Sequence, residues 1–100
     1  MKKINKFSEI KQGRYYFWKE KNNKKNYSGG IYFVSSLDEE EISEIWVKNG
    51  KSLYPNSKDI GSNRLGDFNE AFFIKDKWIC SELNKKETEK LNRELMLNEL

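Results

Sequence analysis

Histidine is absent from this chain of 100 residues, and cysteine occurs once. Without histidine the chain lacks the commonest general base and the commonest metal ligand. One cysteine cannot form an internal disulfide, a Cys–His nucleophile pair or a thiolate zinc site. Because Cys80 follows Ile79 in a strand-like stretch, we interpret it as a small buried hydrophobic residue. The composition therefore predicts a protein that is not an enzyme and needs no metal or cofactor.

Other common functional signals are missing as well. The sequence contains none of the glycine motifs that bind phosphates or present a catalytic serine. It has no apolar run near the roughly 18 residues that span a membrane, and MKKINKFSEI lacks the apolar segment of a secretion signal. These absences predict a cytoplasmic protein that does not associate with membranes. Asp59, Asp67 and Glu70 leave a metal-dependent enzyme as an alternative, although their spacing matches no calcium-binding loop.

Charge is plentiful but unevenly distributed. Residues 1–27 carry nine lysines and arginines against two glutamates, a net charge of +7, so the rest of the chain carries −4. Aromatic residues make up 14% of the sequence, which is enough to form a core despite the 35% of charged residues. The length predicts a single domain over residues 1–100.

Two stretches resemble each other, IYFVSSLDEEEISEIW at 31–46 and KWICSELNKKETEKLN at 77–92. In each, a residue that favours helix N-caps, Asp38 or Asn84, precedes a glutamate by three positions, which is the pattern of a capping box. We therefore predict that a helix begins at each site. Internal duplication and chance similarity both remain open as explanations of the resemblance.

The first predicted helix covers about residues 39–48. Ile42, Ile45 and Trp46 would form its apolar stripe, and Asn49-Gly50 would end it. A rival interpretation is a β-hairpin in which Asn49-Gly50 forms the turn between two strands. We favour the helix because three glutamates suit a helix N-terminus and Leu37 could pack against Ile42 across it.

The second predicted helix covers about residues 85–98, with Leu91 and Leu95 in the core. Aromatic and β-branched residues predict the strands. The predicted shorter elements are a helix near Ile4–Ile10 and strands at 14–19, 31–35, 68–75 and 77–81, the last two turning at Lys75-Asp76. The expected fold is α+β, an antiparallel sheet of four or five strands with both main helices on one face and a tandem ββα arrangement as one option.

The candidate binding residues lie where aromatic side chains alternate with basic ones. They are Lys11, Arg14, Tyr16, Trp18, Lys19, Lys24 and Lys25. If one sheet face is open, Tyr16 and Trp18 form an exposed aromatic patch, which is typical of a binding site. The alternative is that one aromatic face of this strand lies in the core and a helix partly covers the other.

Two binding functions follow from these features. The favoured hypothesis is a small inhibitor or adaptor that covers the surface of a partner protein or nucleoprotein. Compact, charged chains without catalytic motifs are typical of this class, which includes phage proteins that act against host defences. The alternative is a nucleic-acid-binding module, since such surfaces combine positive charge with stacking rings. The sequence does not indicate the oligomeric state.

Overall fold

The computed structural model of the chain describes residues 1–21, 29–54, 60–75 and 78–99. These residues form an α+β fold, as predicted, but the sheet has seven strands rather than four or five. The strands are β1 (Lys2–Ile4), β2 (Tyr15–Glu20), β3 (Gly30–Leu37), β4 (Glu41–Asn49), β5 (Ser52–Leu53), β6 (Ile60–Arg64) and β7 (Trp78–Glu82). The helices are a 3-10 turn (Phe7–Glu9), α1 (Leu65–Asn69), a π-helix (Glu70–Ile74) that continues α1, and α2 (Lys85–Glu99).

All strand pairs in the sheet are antiparallel, in the order β1-β7-β2-β3-β4-β5. The strand β6 pairs with the first half of β4, and β5 pairs with its end. The tandem ββα arrangement is wrong, because β7 lies between β1 and β2 and so brings the two ends of the chain together in the sheet.

The predicted helix at 39–48 is also wrong, because this segment forms the long strand β4. A hairpin is the observed structure, as in the rival interpretation, but its turn is shifted by one residue. Asn49 is the last residue of β4 and pairs with Ser52, so Gly50, at a φ of 60°, and Lys51 form the turn to β5. The capping signal at Asp38 is real but closes a turn. Its Oδ1 accepts hydrogen bonds from the backbone N–H groups of Glu40 and Glu41, both at 2.8 Å, and the Asp38 N–H donates to the Glu41 carbonyl oxygen.

The strand prediction for 68–75 is wrong as well, since α1 and the π-helix occupy this region. Phe68 is buried and anchors the segment, with its ring edge-on to Phe7 at 5.8 Å and to Trp18 at 5.4 Å between centroids. The proposed partner strand at 77–81 is present as β7, and Asp76 of the predicted turn lies outside the described residues. The N-terminal helix is reduced to the 3-10 turn.

Each face of the sheet has its own core, so the prediction that both helices share one face is wrong. The helix α2 begins with the predicted capping box, in which Asn84 and Glu87 exchange side-chain to backbone hydrogen bonds of 2.9 and 3.1 Å, and its Leu91 is buried against Val47 and Leu83. On the opposite face, α1 and the N-terminal segment cover a larger core. Its buried members are Ile4, Ile10, Tyr16, Trp18, Val34, Ile42, Phe68 and Cys80.

None of the helices within the described residues has both the length and the apolar character of a membrane span.

Candidate binding site

An open pocket of about 400 Å³ lies on the α1 face of the sheet. Five strands contribute to it, and it contains all three tryptophans of the chain. We call it the tryptophan pocket. Its lining residues are Trp18 on β2, Tyr32 on β3, Glu44 and Trp46 on β4, Gly61 and Asn63 on β6, and Trp78 on β7.

Strand alternation and pairing explain why these side chains converge. Residues two apart on a strand share a face, so Ile42, Glu44 and Trp46 all point to the α1 side. Trp46 pairs with Tyr32 across the β3–β4 ladder. Gly30 makes room for the indole, because a Cβ atom at Gly30 would lie 3.1 Å from the Trp46 ring. The glycine thus allows the tryptophan to lie close over the backbone of β3.

The pocket has a buried floor and a more exposed rim. Trp18 and Glu44 form the floor, with 4% and 8% of their surface exposed. Tyr32, Trp46 and Trp78 are half-buried, and the first two meet edge to face with ring centroids 4.3 Å apart. Aromatic surface is therefore accessible at the rim, whereas the carboxyl group lies below it.

Among the described residues of this lining, Glu44 is the one carboxylic acid. Burial raises its pKa from 4.5 to about 7, and a side-chain interaction with Trp18, which lowers the pKa, offsets only part of this rise. Its Oε2 has no hydrogen-bond partner among the described residues. The carboxyl group also acts on Cys80, whose pKa is raised by burial first and by the charge of Glu44 second. At neutral pH the pocket therefore holds a carboxyl group close to its pKa, and one of its oxygens makes no hydrogen bond with the described residues.

Sequence reasoning missed Glu44, Trp46 and Trp78 as site residues. The available signal was the rival strand interpretation of 42–54, which places Glu44 on one face with Ile42 and Trp46. A charged residue between two apolar residues on one strand face is unusual, because burying an unpaired charge costs free energy. In the helical interpretation Glu44 lies away from the apolar stripe, where a charged residue is not unusual.

The expected exposed patch of Tyr16 and Trp18 is wrong, because both side chains are buried in the α1-face core. Tyr16 has a structural role. Its hydroxyl accepts the backbone N–H of Lys11 at 2.7 Å and donates to Oε1 of Glu82 at 3.2 Å, and burial raises its pKa to about 12. The alternative is the observed structure, because Tyr16 and Trp18 lie in the α1-face core while Tyr15 and Phe17, on the other face, are partly buried against the core that α2 covers. Trp18 still contributes to a site, as part of the pocket floor.

The basic candidates do not converge on the pocket. Lys11, Arg14 and Lys19 are exposed, and none of them lines it. Arg14 lies 3.7 Å from Glu82, at Nη1 and Oε2 respectively, in an ion pair beside Tyr16. Lys24 and Lys25 lie outside the described residues.

Within the described part of the chain, no three potential metal-ligating side chains of His, Cys, Asp or Glu come together. The predicted burial of Cys80 is confirmed, with 2% of its surface exposed. The described residues that line the pocket include one carboxyl group and no serine, cysteine or second acid. This arrangement suits noncovalent recognition by aromatic surface and a single charge.

Comparison of the chain with family models, with curated proteins and with solved structures finds no match in any of the three.

Proposed function

We propose that this chain is a small non-catalytic binding protein that covers part of a partner protein's surface, as inhibitors and adaptors do, and that the tryptophan pocket is the centre of its contact. The observation that carries the proposal is the convergence of all three tryptophans on one open pocket. Tryptophan and tyrosine dominate the residues that contribute most to binding free energy in protein interfaces, usually where one partner inserts into a pocket of the other.

The size of the pocket supports a side chain as the inserted group. A volume of about 400 Å³ is near the lower end of ligand pockets, which span about 300–1,000 Å³. Tyr54, which is 40% exposed and lies 6.2 Å from Trp46 between ring centroids, extends the aromatic surface beyond the rim. A partner could therefore contact both the pocket and the surface around it.

Gly61 offers a way to close the pocket without disturbing the core. It pairs with Glu44 across the β4–β6 ladder, and a Cβ atom there meets no heavy atom within 4 Å. Gly61→Leu should therefore place its side chain in the pocket. Gly66 is also exposed and equally unobstructed, but it lies in α1 outside the pocket lining, so Gly66→Leu adds the same group elsewhere.

Affinity capture from a lysate of cells that carry the gene tests the proposal. We expect a stoichiometric protein to be captured by the wild type and by Gly66→Leu and lost with Gly61→Leu. Equal capture by all three variants would show that the pocket is not the contact site. Absence of any stoichiometric protein would contradict the proposed function.

Nucleic-acid binding has less support than it had from the sequence, because Tyr16 and Trp18 are too buried to stack on bases. Lys11, Arg14 and Lys19 could still contact phosphates. A gel shift at low salt that weakens steeply as salt is added would favour this alternative over the protein-binding proposal.

A further inference from the structure

The carboxyl group of Glu44 provides a second observation at the tryptophan pocket, in addition to the convergence of the three tryptophans. Its side chain is more than nine-tenths buried, it lines the cavity, and its Oε2 has no hydrogen-bond partner among the described residues. A buried carboxylate is unfavourable unless it is paired with a cation or fully hydrogen-bonded. The pocket therefore contains a buried carboxyl group whose negative charge is not neutralised by any cation among the described lining residues.

We propose that the tryptophan pocket binds a lysine or arginine side chain of the partner protein, with its positive charge against Glu44 and its stem among the surrounding aromatic rings. This inference rests on the proposed function and specifies the group that the partner inserts.

The chemistry of the lining favours an organic cation over the alternatives. Aromatic rings attract ammonium and guanidinium groups through their negative faces, most strongly where water is excluded. Among the described residues that line the pocket, there is no lysine or arginine to neutralise Glu44 or to pair with a phosphate. A calcium or magnesium ion needs about six oxygen ligands, whereas the described lining side chains offer the carboxylate of Glu44, the amide oxygen of Asn63 and the hydroxyl of Tyr32.

The tryptophans provide a direct readout, because every indole N–H signal in the nuclear magnetic resonance spectrum reports on this pocket. The probes are methylguanidinium and n-butylammonium, which reproduce the ends of arginine and lysine. Their neutral counterparts are methylurea and n-butanol. We expect the cations to shift the indole signals saturably, with dissociation constants on the order of 1 mM, and the neutral compounds to bind at least about tenfold more weakly.

Variants test the role of each part. Glu44→Gln keeps the shape of the side chain and removes its charge, so it should weaken cation binding about tenfold or more. Gly61→Leu should abolish the shifts, whereas Gly66→Leu should keep them. Equal shifts from the neutral and the charged probes, or unchanged cation affinity in Glu44→Gln, would overturn the inference.

Failure of this inference is distinguishable from failure of the proposed function. If the cations leave the indole signals unchanged while partner capture still depends on Gly61, the pocket binds a partner by other chemistry and only the cation inference is wrong. If cytidine or adenosine shifts the signals and the cations do not, the pocket recognises nucleobases and the inference is overturned. If the cations bind but no partner protein is captured, the pocket chemistry stands and the proposed function fails.

Discussion

Replacement of Glu44 by glutamine tests whether the carboxyl group in the pocket is buried without a cation beside it. The test needs no partner protein. The carboxyl group has a pKa of 4.5 ordinarily and about 7 in the folded chain, because burial penalises the charged form. Between these two values the unfolded chain loses its proton first, so the folded chain binds more protons and the stability of the wild type falls as pH rises. Below about pH 4.5 both states are neutral, and above about pH 7 the penalty is complete.

The pKa change from 4.5 to about 7 corresponds to about 3 kcal/mol of unfolding free energy. No discount for solvent screening applies, since only 8% of the surface of Glu44 is exposed. A domain is typically stable by about 5–15 kcal/mol, so the effect is a large share of the total. We expect the stability of Glu44→Gln relative to the wild type to rise by about 3 kcal/mol between pH 4.5 and pH 8.

Urea unfolding followed by circular dichroism at several pH values measures this difference directly. The buffers should contain sodium acetate and phosphate, because organic cations could occupy the pocket. Glu41→Gln makes the same chemical change at an exposed position of β4 and controls for the loss of one charge. A difference between wild type and Glu44→Gln that stays constant within about 0.5 kcal/mol across this pH range would refute the burial of an unpaired carboxyl group.

Three further substitutions and one control test the scaffold, each by urea unfolding. Phe68→Ala removes the fully buried ring that holds α1 on the sheet and should lower the free energy of unfolding by about 3–5 kcal/mol. Its control is Ile74→Ala, at a position 70% exposed, which should change that free energy by less than about 0.5 kcal/mol. Similar effects of the two substitutions would contradict the packing of α1. Tyr16→Phe removes the hydroxyl that joins Lys11 to Glu82 and should cost about 1–3 kcal/mol, and no loss would show that the hydroxyl is dispensable. Asn84→Ala removes the cap of α2 and should cost about 1 kcal/mol; unchanged stability would argue against the capping box.

Local sequence signals predict the structure correctly where only one local structure is compatible with them. The capping box at Asn84 was followed by helix-favouring residues, and α2 begins there. The same signal at Asp38 was ambiguous, because an aspartate that accepts N–H groups two and three residues later can close a turn as well as start a helix. Leu37 and Ile42 do form a pair, but as opposite partners in the β3–β4 hairpin rather than across a helix start.

The β-branched residues Ile42, Ile45 and Val47 favoured the strand, and the contacts of β4 with both β3 and β6 settle the choice. The pairing with β6 depends on a segment farther along the chain, which the local sequence pattern does not reveal. The region from Phe68 to Ile74 failed for a similar reason. Its short apolar run at 71–74 fits a buried strand or a buried helix equally, and packing of Phe68 against Trp18 selects the helix.

The pocket itself could not be predicted from any local pattern. Its tryptophans come from three strands far apart in the sequence, and they meet only because β7 lies beside β2. The predicted exposed aromatic patch therefore falls on side chains that are buried, whereas the accessible tryptophans lie on β4 and β7. Trp18 lies at the floor, while Trp46 and Trp78 provide the accessible surface.

The most direct test of the central claim is the pKa of the Glu44 carboxyl group itself, measured by carbon-13 nuclear magnetic resonance with and without methylguanidinium. Among the described residues, two other titratable groups lie near it, the phenol of Tyr32 in the lining and the thiol of Cys80 on β7, and Glu44→Gln identifies the Glu44 signal. The account predicts a pKa of about 7 in the free protein and a lower value at saturating cation, since a bound positive charge favours the carboxylate. A pKa near 4.5 in the free protein, or one that the cation leaves unchanged, would contradict it.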